Sequence, residues 1–273
     1  MKDNLYLNGN LRYYGATFMD TPPESMRLHL MVGEDGNYEL SGTFNVMQGD
    51  VFKISELGWE NVLGYWSLEE SDQGIYFSPV WDGHDGDNLY CKESGLYKIS
   101  VNNRNIIHID YLGAPKENEH SLWQIAGKLS NYENDWGTGS DAMHLYWLSD
   151  QEAYNPDYPM SLYDCYHTRK PVFLERGDEL KLAIISDGTW VKMAGASLLD
   201  EHGNESQKGD DEFLGWGENA GGANIRVEKP GKYYFYLYVA RKKLNPRSED
   251  SEESRKNHDE FRIVWTYNEA DRY

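Results

Sequence analysis

The chain has 273 residues, room for roughly two domains of ordinary size that each bury a core. Its 26 basic and 46 acidic residues leave a formal charge of −20, which repels nucleic acid and anionic membranes and so excludes polyanionic partners. No stretch reaches the roughly 18 apolar residues of a membrane span, and Met1 is followed by Lys-Asp-Asn instead of the apolar run of an export signal. The expectation is a mature fragment of a secreted or cell-surface protein, or a complete intracellular or virion protein, with no membrane insertion.

In chain order, the first half predicts strands at Leu5 to Leu7, Arg27 to Val32, Tyr38 to Phe44, Val51 to Ser55, Val62 to Leu68, Asn88 to Cys91, Leu96 to Val101 and Ile106 to Leu112. Turn chemistry separates them: Glu34-Asp35-Gly36, the run from Asp82 to Asn88, and Asn102-Asn103. Residues 114–121, Ala-Pro-Lys-Glu-Asn-Glu-His-Ser, fit no strand core and are expected to form a short linker between a module at 1–113 and a module at 122–273. The second half predicts strands at Trp123 to Ala126, Met143 to Leu148, Met160 to His167, Glu179 to Ile185, Val191 to Leu198, Ala223 to Val227, Lys232 to Ala240 and Phe261 to Tyr267. Residues 245–260 hold almost no apolar side chains and are expected to be a mobile acidic loop. Short alternating strands without long helical periodicity predict two tandem, immunoglobulin-like, antiparallel β-sandwiches.

The two halves also repeat one another. Gly49-Asp50, Phe52-Lys53-Ile54, Trp59 and Gly64 recur as Gly177-Asp178, Leu180-Lys181-Leu182, Trp190 and Gly195. Asn88, Gly95 and Tyr97 recur as Asn224, Gly231 and Tyr233. A period above one hundred residues indicates tandem domains, since solenoid units are far shorter. Cys91 and Cys165 fall at different points of the two copies, so a shared intradomain disulfide is excluded and two buried free thiols are expected.

Tyr (21) and Trp (9) together far outnumber Phe (8), which favours surfaces where one ring face packs and the other meets water or ligand. Sugar rings are such ligands: their C–H faces stack on indole, and their hydroxyls take amide, carboxylate and lysine partners. In the first copy the candidates are Trp59, Lys53 and Trp81, which precedes the acidic turn. In the second they are Trp136 in Asn-Asp-Trp-Gly, Trp190 after Asp187-Gly188, Lys181, and Trp216 in Gly-Trp-Gly. Trp59 and Trp190, being equivalent, stand between a core and a binding-face role, whereas Trp147 and Trp265 lie in strands and are expected in cores. Trp136 and Trp216, flanked by glycine and polar residues, are expected to be exposed.

Leu122 to Gly127, Asn134-Asp135-Trp136-Gly137, the run from Gly177 to Leu182, Trp190, Ala223-Asn224-Ile225 and Pro230-Gly231-Lys232-Tyr233 together resemble the tandem starch-binding β-sandwiches of the SusE/SusF type. The resemblance implies a non-catalytic, surface-located protein whose paired aromatics form an arc matching the curve of an α-glucan, with Lys and amide groups on its hydroxyls. It places Trp136, Trp190 and Lys181 in that site, with Trp59 and Lys53 at corresponding positions of the first copy. There Tyr13-Tyr14-Gly15 stands where the second copy opens with Asn-Asp-Trp-Gly.

No enzyme motif is found: the eight His residues form neither His-Glu-x-x-His nor a His/Cys cluster, and Gly-x-Ser-x-Gly and a phosphate-cradling loop are missing. Asp82 to Asn88 with Glu93 offers oxygens for calcium but lacks the central glycine of an EF-hand loop, so no metal and no cofactor is expected. The sequence thus predicts a non-catalytic binder of a neutral polysaccharide, most readily an α-glucan. The alternative is a structural or interaction protein of a cell surface or virion, with protein partners.

Overall fold

The computed structural model describes residues 4–32, 37–80, 87–117, 120–132, 134–136, 143–149, 163–186, 189–194, 212–216, 224–240 and 261–268. The chain divides into two compact units, Met1–Glu119 and His120–Tyr273. All named sheet pairings are antiparallel, and the described residues contain no α-helix, only three short 3-10 turns.

The first unit contains β1 (Tyr6–Asn10), β2 (His29–Val32), β3 (Tyr38–Val46), β4 (Val51–Ser55), β5 (Phe77–Val80), β6 (Asn88–Cys91), β7 (Gly95–Asn102) and β8 (Ile107–Gly113). They form two sheets, ordered β1-β4-β6-β5 and β2-β3-β7-β8. Phe52 and Phe77 of one sheet meet edge-on, and Phe77 meets Tyr97 of the other at 5.2 Å between centroids, so one core lies between the sheets. In the second unit β9 (Trp123–Leu129), β10 (Asn134–Asp135), β14 (Glu179–Ser186), β15 (Thr189–Ala194), β16 (Leu214–Trp216) and β17 (Ile225–Val227) form a sheet ordered β10-β9-β14-β17-β16, with β15 also paired to β14. Opposite it, β11 (Tyr146–Trp147), β12 (Tyr163–His167), β13 (Val172–Leu174), β18 (Gly231–Ala240) and β19 (Phe261–Asn268) form the order β11-β12-β18-β13, with β19 on β18. Trp123, Ile125, Leu180 and Leu182 of the first of these sheets and Tyr233, Phe235, Ile263 and Trp265 of the second close one core.

Residues that recur in sequence occupy matching positions. Gly49 and Gly177 both have φ of +91°, and their N–H groups donate to Cys91 O and Val227 O at 2.8 Å. The aspartate that follows accepts backbone donors on both oxygens: Asp50 takes Arg12 N–H (3.1 Å) and Met47 N–H (2.9 Å), and Asp178 takes Ser130 N–H (3.0 Å) and Glu175 N–H (2.9 Å). Tyr97 and Tyr233 are fully buried and donate their hydroxyls to the carbonyl four residues upstream, Glu93 O and Lys229 O. The repeated Gly-Asp pair therefore builds the turn into β4 and β14.

Several sequence expectations are corrected. Val62 to Leu68 is not a strand: Gly64 opens a 3-10 turn at Tyr65–Ser67, where Tyr65 N–H donates to Asp87 O, and only isolated bridges at Leu63 and Leu68 remain. Met143 to Leu148 reduces to β11 and a bridge between His144 and Gln124. The short strands β5, β13 and β16 were not anticipated; Pro79 lies inside the first and Pro171 precedes the second, masking a strand signal. The acidic loop at 245–260 and most of the Asp82 to Asn88 turn lie outside the described residues.

Candidate functional site

In the second unit the strand alternation sorts β14 into two faces. Leu180, Leu182 and Ile184 enter the core, while Lys181, Ala183 and Ile185 point to the opposite, outer face. On neighbouring β9, Ala126 lies opposite Lys181, and Lys128 lies opposite Glu179. Ala126, Ala183 and Ile185 form a small apolar floor against which Trp190, opposite Ile185 on β15, is packed. Two alanines at these positions leave the volume above the sheet for large rings.

Trp136 reaches this face from the end of β10. Its N–H donates to Gly127 O at 3.1 Å, and its backbone is left-handed, with φ of +59°. That conformation costs a β-carbon residue on the order of 1–3 kcal/mol and persists only where the surroundings impose it. Gly127 is needed for the close approach of β9 to β14: a Cβ there would lie 2.1 Å from Glu179 O. The indoles of Trp136 and Trp190 meet at 6.0 Å between centroids with their planes inclined by 47°. Both are half-buried. The result is a bent aromatic surface on the face that carries Lys181, itself half-buried. Glu179, on the same side of β14, accepts a hydrogen bond from Asn224 Nδ2 at 2.8 Å.

The corresponding face of the first unit is closed. Lys53 lies opposite Asn8 and is only 4% exposed. Asn8 donates Nδ2–H to Met19 O (2.8 Å) and accepts Met19 N–H (3.0 Å), which fixes the segment leading to Met19 over that face. Lys53 is therefore not presented to a surface ligand, a correction to its expected place in a site. Trp59, in a 3-10 turn and half-buried with φ of +64°, packs on the residues either side of Met19. Its indole N–H donates to Asp20 Oδ1 at 2.6 Å, and its ring lies 5.9 Å from that of Phe18. Neither Trp59 nor Trp190 belongs to the fully buried core, which in the second unit is supplied by Trp123 and Trp265. Trp147 only packs against that core's margin. Trp81 and the side chain of Trp216 lie outside the described residues. Sequence reasoning left Trp66 out of the site, although at 65% it is the most exposed large apolar side chain among the described residues, its indole N–H on Asp87 Oδ2.

Fold and site together define an all-β protein of two sandwich-like units, one of which carries an aromatic pair on the outer face of a sheet. Among solved structures the chain is similar to SusF from Bacteroides thetaiotaomicron, at 16% identity and a TM-score of 0.29 over 97% of this chain. It spans 49% of that structure's length. No family description and no curated protein matches the chain. Among the described residues, no helix is long and apolar enough to cross a membrane.

Proposed function

We propose that this chain is a non-catalytic carbohydrate-binding protein of the cell surface, and that its second unit takes a neutral polysaccharide, an α-glucan such as starch, on the outer face of the β9–β14–β15 sheet. The observation that carries this reading is the Trp136–Trp190 pair: two half-buried indoles, 6.0 Å apart and inclined by 47°, on the face that carries Lys181. Flat rings set at an angle offer successive glucose units of a curved chain one apolar face each, while the ammonium and neighbouring polar groups take hydroxyls. The charge of −20 is compatible with an uncharged ligand and opposes an anionic one. On this face Glu179 is tied to Asn224, whereas glycoside hydrolysis calls for a pair of carboxylates flanking the bond.

The test separates binding from folding. Trp136→Ala is expected to abolish retention by starch while leaving the thermal midpoint nearly unchanged, because that ring is not part of the core. Trp190→Ala is expected to abolish retention and also to cost about 1–2 kcal/mol, because its ring packs on Ala126, Ala183 and Ile185. Starch retention unchanged in both variants would remove the face from consideration.

One observation favours a second reading, an interaction protein with protein partners. Strand β2 is the edge of its sheet and exposes Leu30, Met31 and Val32 at 52–63%, with no charged residue along it. Unpaired apolar edges of this kind pair with other strands. A chain that ignores every polysaccharide but self-associates or captures a partner through β2 would fit that reading instead.

A further inference from the structure

A second cluster of side chains lies in the first unit, where sequence spacing gave no hint of it. Leu68 forms a parallel bridge with Ile107, and Glu69 N–H donates to Ile107 O at 2.9 Å. The turn that follows is closed by Asp72 N–H on Glu69 O (2.9 Å) and fastened to β8 by Ile109 N–H on Asp72 Oδ2 (3.0 Å). These backbone bonds bring Glu69 and Asp72 to the imidazole of His108.

Asp72 Oδ2 lies 2.8 Å and Glu69 Oε2 3.2 Å from His108 Nδ1, and one donor atom from each of the three residues falls within 4.8 Å of the others. Nδ1 is shut off from solvent, and the two oxygens stand at ion-pair distance without a well-aligned hydrogen bond to it. Against the opposing effect of burial, Asp72 and Asp110 hold the imidazole's pKa above its usual value, so an ion bound at Nδ1 would take the place of the proton they favour there. Ligands at right angles around an ion about 2.1 Å away stand roughly 3.0 Å apart, off each other's lone-pair axes, which is this arrangement. The other ring nitrogen, Nε2, is 3.1 Å from Asp110 Oδ1. A carboxylate on the far nitrogen is the support that metal-binding histidines regularly have, and with an ion at Nδ1 it would hold the proton on Nε2.

We propose that Glu69, Asp72 and His108 bind one divalent transition-metal ion of the Zn2+ or Mn2+ kind, with Asp110 orienting the imidazole, and that the ion ties the Glu69–Asp72 turn to β8. Two carboxylates and a neutral imidazole offset the charge of such an ion. One nitrogen among two oxygens selects against calcium, which takes six to eight oxygens, and leaves positions for water. The cluster belongs to the first unit and is independent of the proposed sugar-binding face.

The test uses the full chain, stripped with chelator and titrated calorimetrically with Zn2+ at physiological salt. One saturable site is expected, weakened at least tenfold in both His108→Gln and Asp72→Asn and by about 10–100-fold in Asp110→Asn. Bound Co2+ should show d–d bands shifted and strengthened relative to the aqueous ion, a readout on the unaltered protein that does not depend on any variant folding. Absence of saturable Zn2+ binding, an affinity unchanged in His108→Gln, or a Co2+ spectrum identical to that of the free ion would each overturn the proposal.

Discussion

Among the described residues, two of the four non-glycine residues with left-handed backbones are tryptophans, Trp59 and Trp136. A bulky side chain in that region is a genuine outlier, and such outliers gather where a side chain must be aimed rather than merely packed. Trp136 is aimed at Trp190; Trp59 is held by Asp20 against Phe18. The cysteines are the opposite case. Cys91 and Cys165 are free and buried, and burial pushes each thiol up to about 12. Because the thiolate is the reactive form, neither should be modified by a disulfide reagent at pH 8 in the native protein, while both should react at once in denaturant. Rapid native labelling of one thiol per chain would contradict this placement. Trp136, expected to be exposed from its glycine and polar neighbours, is half-buried, and Trp66, 65% exposed, carried no such signal. Nor was the burial of Lys53 legible in the sequence, because it depends on Asn8 holding the Met19 segment, a contact that strand alternation does not encode.

At the level of elements, the recurring Gly-Asp turn gives each unit a common anchor. Asp178 takes Glu175 N–H, Ser130 N–H and the Ser130 hydroxyl (2.6 Å), joining the end of β9 to the start of β14. Asp178→Ala strands these donors and is expected to cost about 3 kcal/mol, measured by denaturant unfolding. Asp178→Asn should cost less, since its remaining oxygen still accepts; equal losses in the two would contradict the account. This anchor also bears on the site, because Glu179 and Lys181 follow directly along β14 and their outward direction is set there. The strands of both cores could be read from alternation, and the repeat from residue order. The short strands β5, β13 and β16 could not: β13 is held by the longer β18, and β5 and β16 by partners as short as themselves, so tertiary pairing rather than propensity places them. The Glu69–Asp72–His108 cluster was hidden for a related reason: residues 36 to 39 apart meet only because a 3-10 turn replaces the expected strand at Val62 to Leu68 and delivers Leu68 to Ile107.

Across the whole molecule, two units that share the Gly-Asp turn and its neighbouring strands differ on one face. In the second, small residues on β9 and β14 leave an outer face on which two indoles converge; in the first, the same face is covered by the segment ending at Met19. On the proposed reading affinity for a glucan belongs to the second unit, and the strong net negative charge opposes anionic ligands. The measurement that tests this most directly is native electrophoresis of the full chain through gels cast with soluble starch, glycogen or xyloglucan, beside a non-binding protein of similar size. The account predicts selective retardation by the α-glucans starch and glycogen; migration unchanged in all three would contradict it and leave the exposed β2 edge as the functional surface.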